Sequence, residues 1–181
     1  MIFALRRLAH SGGLVAAAFV LKYPLIAIPN VEPLTLVFFA IGYAYGPLWG
    51  AFVGLLGEGI FATFNPLGIP IFPVWMAQLG AMAVTGLVGG GLGRLVKRRE
   101  GRRISRLAVI AAGITVTLIF DLVTNTAFAV SIGPFWPVMV AALPFAAIHI
   151  GSNALLFGAI FPILERWLLH PTTAVVGPSS C

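Results

Sequence analysis

The sequence predicts an all-α integral membrane protein, a bundle of six transmembrane helices with both termini in the cytoplasm. Three observations predict it. Of the 181 residues, 60% are hydrophobic and only 9% charged, and the mean hydropathy is +1.04. A soluble domain carries roughly 25% charged residues. Apolar runs recur along the chain, separated by short loops rich in Pro, Gly and Asn. Nearly all the cations sit in alternate gaps between those runs, as the positive-inside rule requires of a multi-pass protein.

The elements follow in order. A spanning helix needs about 20 mostly apolar residues. The first run covers Ser11–Ile28 and is followed by the turn Pro29-Asn30-Val31-Glu32-Pro33. Lys22, Tyr23 and Pro24 stand where a signal peptide would carry small residues, so this run is expected to be a retained span. The second run, Leu34–Tyr45, is short, which predicts a tilted helix or a locally thinned bilayer. Gly46-Pro47 breaks it. The third run is Leu48–Phe64, ended by the loop Asn65–Pro70. The fourth is Val74–Leu92, the fifth Leu107–Val130, and the sixth Val138–Phe161. Pro162 is expected to kink the chain into an amphipathic turn ending at Trp167. Residues 1–169 thus form one membrane domain, and 170–181, rich in Pro, Thr, Gly and Ser, form a disordered tail.

Orientation follows from charge. Arg6 and Arg7 precede the first run. Arg94, Lys97, Arg98, Arg99, Arg102, Arg103 and Arg106 lie between the fourth and fifth, and Arg166 follows the sixth. With six crossings all of these share one side, the cytoplasmic one. Lys22 dissents and is read as snorkelling from the outer end of the first span. The sequence pI of 10.5 therefore reflects topology, not a nucleic-acid footprint. The single cysteine, Cys181, excludes an internal disulfide, and no His/Cys spacing suggests a metal or cofactor site.

Ionisable groups in hydrocarbon cost roughly 2.5–3.5 kcal/mol by insertion scales, so those retained there are informative. Of five acids, Glu100 and Glu165 fall on the cytoplasmic side and Glu32 in an outer loop. Glu58 and Asp121 remain inside. At 1.5 Å per residue Glu58 lies ~15 Å deep and Asp121 ~21 Å from the cytoplasmic end. Thr117, Asp121, Thr124 and Asn125 share one helix face at i, i+4, i+7 and i+8. His149, Ser152 and Asn153 form a second stripe at i, i+3 and i+4, and Gln78 sits in the outer part of the fourth run. These groups predict an enclosed polar pocket opening outward. Interhelical hydrogen bonding is the plainer role for Gln78, Thr117, Thr124 and Ser152. Asp121 with His149 reads equally as a buried ion pair or a proton relay. Asp121 suggests a ligand with a cationic or donor group, while His149 and Asn125 suit donors or acceptors.

Small residues make a further pattern. Gly46, Gly50, Gly54 and Gly57 recur through the third run, Gly86 to Gly93 crowd the fourth, and Gly13 and Ala17 lie four apart in the first. Such faces let helices approach closely, either within the chain or against another subunit. No phosphate loop, nucleophile elbow or zinc-protease motif is present. No strong internal repeat argues for an inverted-repeat transporter.

Four segments carry a family resemblance: Asn30-Val31-Glu32-Pro33, Gly46-Pro47-Leu48-Trp49-Gly50, Phe120–Asn125, and His149-Ile150-Gly151-Ser152-Asn153. With six runs in so short a chain, Ser11 to Trp167 resembles the substrate-binding S components of energy-coupling factor (ECF) vitamin transporters. The resemblance implies a non-enzymatic cell-membrane subunit that captures a vitamin-like solute from outside. A separate transmembrane T subunit and two ATPase subunits would supply the energy. It points to Asn30, Glu32, Gln78, Asp121, Asn125 and His149 as ligand contacts; Glu58 and Asn153 join them from the polar pattern. It assigns T-subunit docking to the first span, where Gly13 and Ala17 approximate the family's Ala-x-x-x-Ala. Three other readings stand beside it. One is an ion- or proton-coupled carrier using Glu58, Asp121 and His149. Another is an intramembrane enzyme with His149 and Asp121 as acid and base. The third is a scaffold.

Overall fold

The computed structural model describes residues 2–97 and 104–169. The cation cluster Arg98, Arg99, Arg102 and Arg103, Glu100, and the tail from His170 lie outside the described residues. Seven helices follow in chain order: α1 (Ile2–Leu25), α2 (Leu34–Tyr45), α3 (Pro47–Thr63), α4 (Phe72–Lys97), α5 (Arg106–Ile132), α6 (Phe135–Ala159) and α7 (Phe161–Leu169). The described residues contain no strand. Helices α1, α4, α5 and α6 are long and apolar enough to cross a membrane; α2 and α3 are shorter. Large apolar side chains such as Leu48, Phe64, Leu107, Val130, Trp136 and Leu155 are exposed around the bundle. A surface of that kind suits lipid and not water.

Most helices extend past the apolar runs that announce them. The first begins at Ile2, not Ser11, and carries Arg6 and Arg7 within it. The fourth runs on through Arg94 to Lys97. Hydropathy marks the apolar part of a helix, whereas the hydrogen-bond ladder continues until something caps it. Lys97 does so for a neighbour: its Nζ donates to the Ala44 carbonyl at the end of α2, at 3.0 Å. Arg106 Nε donates likewise to Gly158 O near the end of α6, at 2.8 Å. Both place a cation at a helix C-terminus, the favoured end of the dipole.

The short α2 lies at the centre of the bundle. Every residue from Leu34 to Ala44 is buried, because α2 is the central helix and touches all six others. One side packs Leu36, Phe39, Ala40 and Tyr43 against Val109, Val116, Phe157 and Phe161. The opposite side packs Leu34, Val37, Phe38 and Ile41 against Ala18, Val53, Phe61 and Met82. A helix apolar all round is a core helix.

A single residue, Gly46, turns α2 into α3. Its φ of +103° lies where an L side chain is strained, and Pro47 starts α3 with a ring that suits the first helical position. The glycines then let α2, α3 and α4 meet backbone to backbone. A Cβ on Gly42 would strike Gly86 O, and one on Gly86 would strike the Gly50 carbonyl. Gly54 faces Met82 O, Gly89 faces Phe39 O and Gly93 faces Tyr43 O in the same way. The small residues of the third and fourth runs therefore serve internal packing. Gly13 and Ala17 differ: both are exposed on α1, and nothing lies within 4 Å of a Cβ built on Gly13.

Candidate functional site

The loops that join α1 to α2, α3 to α4 and α5 to α6 gather at one end of the bundle. Arg6, Arg7, Lys97, Arg106 and Arg166 gather at the other. Beneath the first two loops lies a cavity of about 320 Å³, within the size range of small-molecule sites. Lys22, Asn30, Glu32, Glu58, Asn65, Gln78 and His149 supply its polar lining, and Phe61, Met82 and Phe120 much of its apolar wall.

Glu32 organises the loop end. Its Oε2 accepts from Leu34 N–H at 2.6 Å, and its Oε1 accepts from Thr35 N–H at 3.2 Å and from the Thr35 hydroxyl. The carboxylate thus caps α2 from two residues upstream, where negative charge complements the helix dipole. Lys22 Nζ stands 3.9 Å from Oε2 and His149 Nε2 3.7 Å from Oε1. Both are ion-pair distances, too long for hydrogen bonds. Burial pushes the Glu32 carboxyl up, but Lys22, His149 and Thr35 outweigh it and hold it at about 2. A carboxylate depressed from its ordinary value near 4.5 stabilises the fold above that value and loses the contribution as pH falls toward about 2. Glu32→Gln is expected to cost about 2 kcal/mol at neutral pH. Thermal unfolding of both proteins against pH checks this: the gap should be full above about pH 5 and close progressively below it. A constant gap would show that the charge is not what matters.

The loop above the cavity is tied to α6. Asn30 adopts a φ of +60°, a left-handed conformation that Asn tolerates better than most residues. Its Nδ2 donates to Phe145 O at 3.0 Å. The Ser152 hydroxyl lies 3.1 Å from the Asn30 carbonyl and 3.0 Å from that of His149, and donates to one at a time.

The two polar stripes meet each other. In the antiparallel α5–α6 pair, Phe157 packs on Gly113. One turn on, Asn153 Nδ2 donates to Thr117 Oγ1 at 2.9 Å. One further turn on, His149 Nδ1 lies 2.7 Å from Asp121 Oδ1. Gly113 admits the Phe157 ring and so sets the register that brings both polar pairs together. Thr117 in turn donates to Gly113 O. His149 is thereby fixed with Nδ1 on Asp121, its ring edge-on to Phe120 at 5.6 Å, and Nε2 toward Glu32. Asp121 is the residue behind the cavity wall, and His149 the one on it.

Of the residues singled out from sequence, Asn30, Glu32, Glu58, Gln78 and His149 line one cavity. Asp121 reaches it through His149. Asn153 is buried in the α5–α6 seam, and Asn125 is half-buried one turn beyond Asp121; neither lines the cavity. Sequence reasoning missed Lys22 as a lining residue, along with Phe61 and Phe120. Lys22 did carry a signal, as the one cation out of step with the charge pattern. It is held by Glu32 and stands 3.9 Å over the Phe61 ring, a cation–π distance.

Several buried polar atoms at the site have no hydrogen-bond partner among the described residues: Glu58 Oε2, Gln78 Oε1, His149 Nε2 and Asp121 Oδ2. Buried polar groups are normally hydrogen-bonded, so this set marks where a bound molecule or water would complete the structure. No protein-family model, curated protein or solved structure matches the chain.

Proposed function

We propose that this chain is the substrate-binding membrane subunit of an ECF-type importer, capturing a vitamin-like solute from outside the cell membrane. On this reading the bundle crosses the bilayer six times, with both termini cytoplasmic. The observation that carries it is the cavity: several elements aim polar groups into one small space at a single end of the bundle. The described cations other than Lys22 lie mainly at the opposite end, which the positive-inside rule makes cytoplasmic; the cavity then faces outward. The loop over the cavity is latched to α6 by Asn30, as a capture site requires if it is to enclose its ligand. The chain carries no phosphate-binding loop of its own, so ATP-driven uptake requires partner ATPases and a T subunit. Helix α1, with Gly13 and Ala17 on an open face, is the docking surface this reading assigns to the T subunit.

The test is affinity purification of the tagged chain from its native membranes in mild detergent, with mass spectrometry of what accompanies it. A T-type membrane subunit and paired ATPases are expected. Recovery of the chain alone, from membranes in which those subunits are expressed, overturns the reading. It would favour a solitary ion- or proton-coupled carrier, for which the unpaired Glu58 and the Asp121–His149 pair beside one cavity are the supporting groups.

A further inference from the structure

The acids of this site are not equivalent. Glu32 is held by Lys22 and by the start of α2, and Asp121 Oδ1 by His149. Glu58 has neither kind of partner. It is 3% exposed, its Oε2 has no hydrogen-bond donor, and no ion pair reaches it among the described residues. Lys22, which lines the same cavity, stands against Glu32 and over the face of Phe61. On the wall formed by α4, Gln78 Oε1 is a second acceptor without a donor.

With the Lys22–Glu32 and His149–Asp121 pairs set aside, the buried unpaired atoms that α3 and α4 bring to the cavity lining, Glu58 Oε2 and Gln78 Oε1, are both acceptors; Trp75 Nε1, an unpaired donor on α4, does not line it. An ionised carboxylate buried without a partner is strongly unfavourable. Whatever fills this space is therefore selected for a donor, and for positive charge above all. An anionic ligand would meet Glu58 and Glu32 together and add to the imbalance. The apolar wall of Phe61, Met82 and Phe120 calls for a flat or compact apolar body attached to that donor. At about 320 Å³ the space is near the lower bound of small-molecule sites, which fits a one-ring molecule better than a cofactor-sized one.

We propose that the cavity takes a small ligand carrying a protonated nitrogen, bound by Glu58 with Gln78 beside it, its apolar body resting against Phe61, Met82 and Phe120. The inference rests on the cavity being the substrate site. It moves recognition of a cationic group from Asp121, where the sequence pattern puts it, to Glu58. Asp121 spends its inner oxygen on positioning His149.

The test uses three probes of nearly equal shape on the full chain in lipid nanodiscs at neutral pH: benzylammonium, benzyl alcohol and benzoate. Isothermal titration calorimetry is expected to show saturable benzylammonium binding, at least about tenfold tighter than either isostere. Glu58→Gln should remove about tenfold of that affinity and close most of the gap between benzylammonium and benzyl alcohol. Equal or tighter binding of benzoate or benzyl alcohol overturns the proposal. So does the absence of saturable benzylammonium binding at millimolar concentration, which would show Glu58 holding its own proton instead of a cation. If Glu58→Gln does not fold, the three-probe comparison on the unaltered chain decides alone. Failure here is separable from failure of the importer reading. A chain that co-purifies with ATPases yet prefers benzoate keeps its partners and loses this ligand class; one that prefers the ammonium but purifies alone does the reverse.

Discussion

Gly86→Val is expected to prevent assembly of the α2–α3–α4 core. A Cβ at position 86 would fall on the carbonyl of Gly50 and within 2.6 Å of Ala51 N. These are backbone atoms in the middle of a helix, so no rotamer change relieves the clash. Moving α4 away would also separate Gly89 from Phe39 O and Gly93 from Tyr43 O, because all three contacts lie along one face of α4. Overpacking in a compliant core costs about 1–3 kcal/mol. Here the whole interface must part, and a loss above about 4 kcal/mol is expected. Gly80 and Gly91 lie on the same helix with nothing within 4 Å of a built Cβ. Gly80→Val and Gly91→Val should change stability by less than about 0.5 kcal/mol, since Val is no worse than Gly in a helix. Size-exclusion yield and thermal unfolding in detergent separate the cases. A monodisperse Gly86→Val protein with native unfolding temperature would show that these helices do not touch where the glycines are.

Asp121→Ala is expected to have the next largest effect, on both stability and binding. Asp121 is 7% exposed and its partner His149 is 2% exposed. Removing one member of a buried pair leaves the other without compensation and costs about 3–5 kcal/mol. Binding should fall as well, because His149 loses the partner that fixes its orientation on the cavity wall; for comparable positioning residues the loss is about 10–100-fold. The double variant Asp121→Leu with His149→Phe separates the two effects. It replaces the pair with apolar groups and should recover most of the stability, while binding stays lost. If the double variant recovers binding too, the pair is structural only. Equal unfolding temperatures for Asp121→Ala and the unaltered chain would mean the two side chains do not meet.

Much of this was legible in the sequence because its causes are local or compositional. Apolar runs fixed the number and order of the main helices, and Pro and Gly marked where they stop. The i, i+4 spacing put Asp121 and Thr117 on one face of α5, and His149 and Asn153 on one face of α6. What the spacing left open was which faces meet. The register of α5 against α6 depends on the Phe157 ring settling over Gly113, a contact between residues 44 positions apart in sequence. Asn125 belongs to the same sequence stripe as Asp121, yet α6 supplies it no partner and it lies off the cavity. The extent of α1 and α4 beyond their apolar runs was hidden from hydropathy, because Arg6, Arg7, Arg94 and Lys97 lie within those helices and a charged side chain lowers hydropathy without ending the backbone hydrogen-bond ladder.

By itself, the sequence determined the helical class, the polar residues that a lipid environment makes expensive, and the asymmetric distribution of charge. Each is set by the solvent and by the chain's own periodicity. Only the tertiary structure decided that α2 is the buried centre of the bundle, that Lys22 turns inward to Glu32, and that Glu58 is the acid left without a partner among the described residues. Those outcomes depend on pairings between distant segments. A carboxylate's surroundings are made by whichever helices pack beside it, and no periodicity along one chain says which those will be.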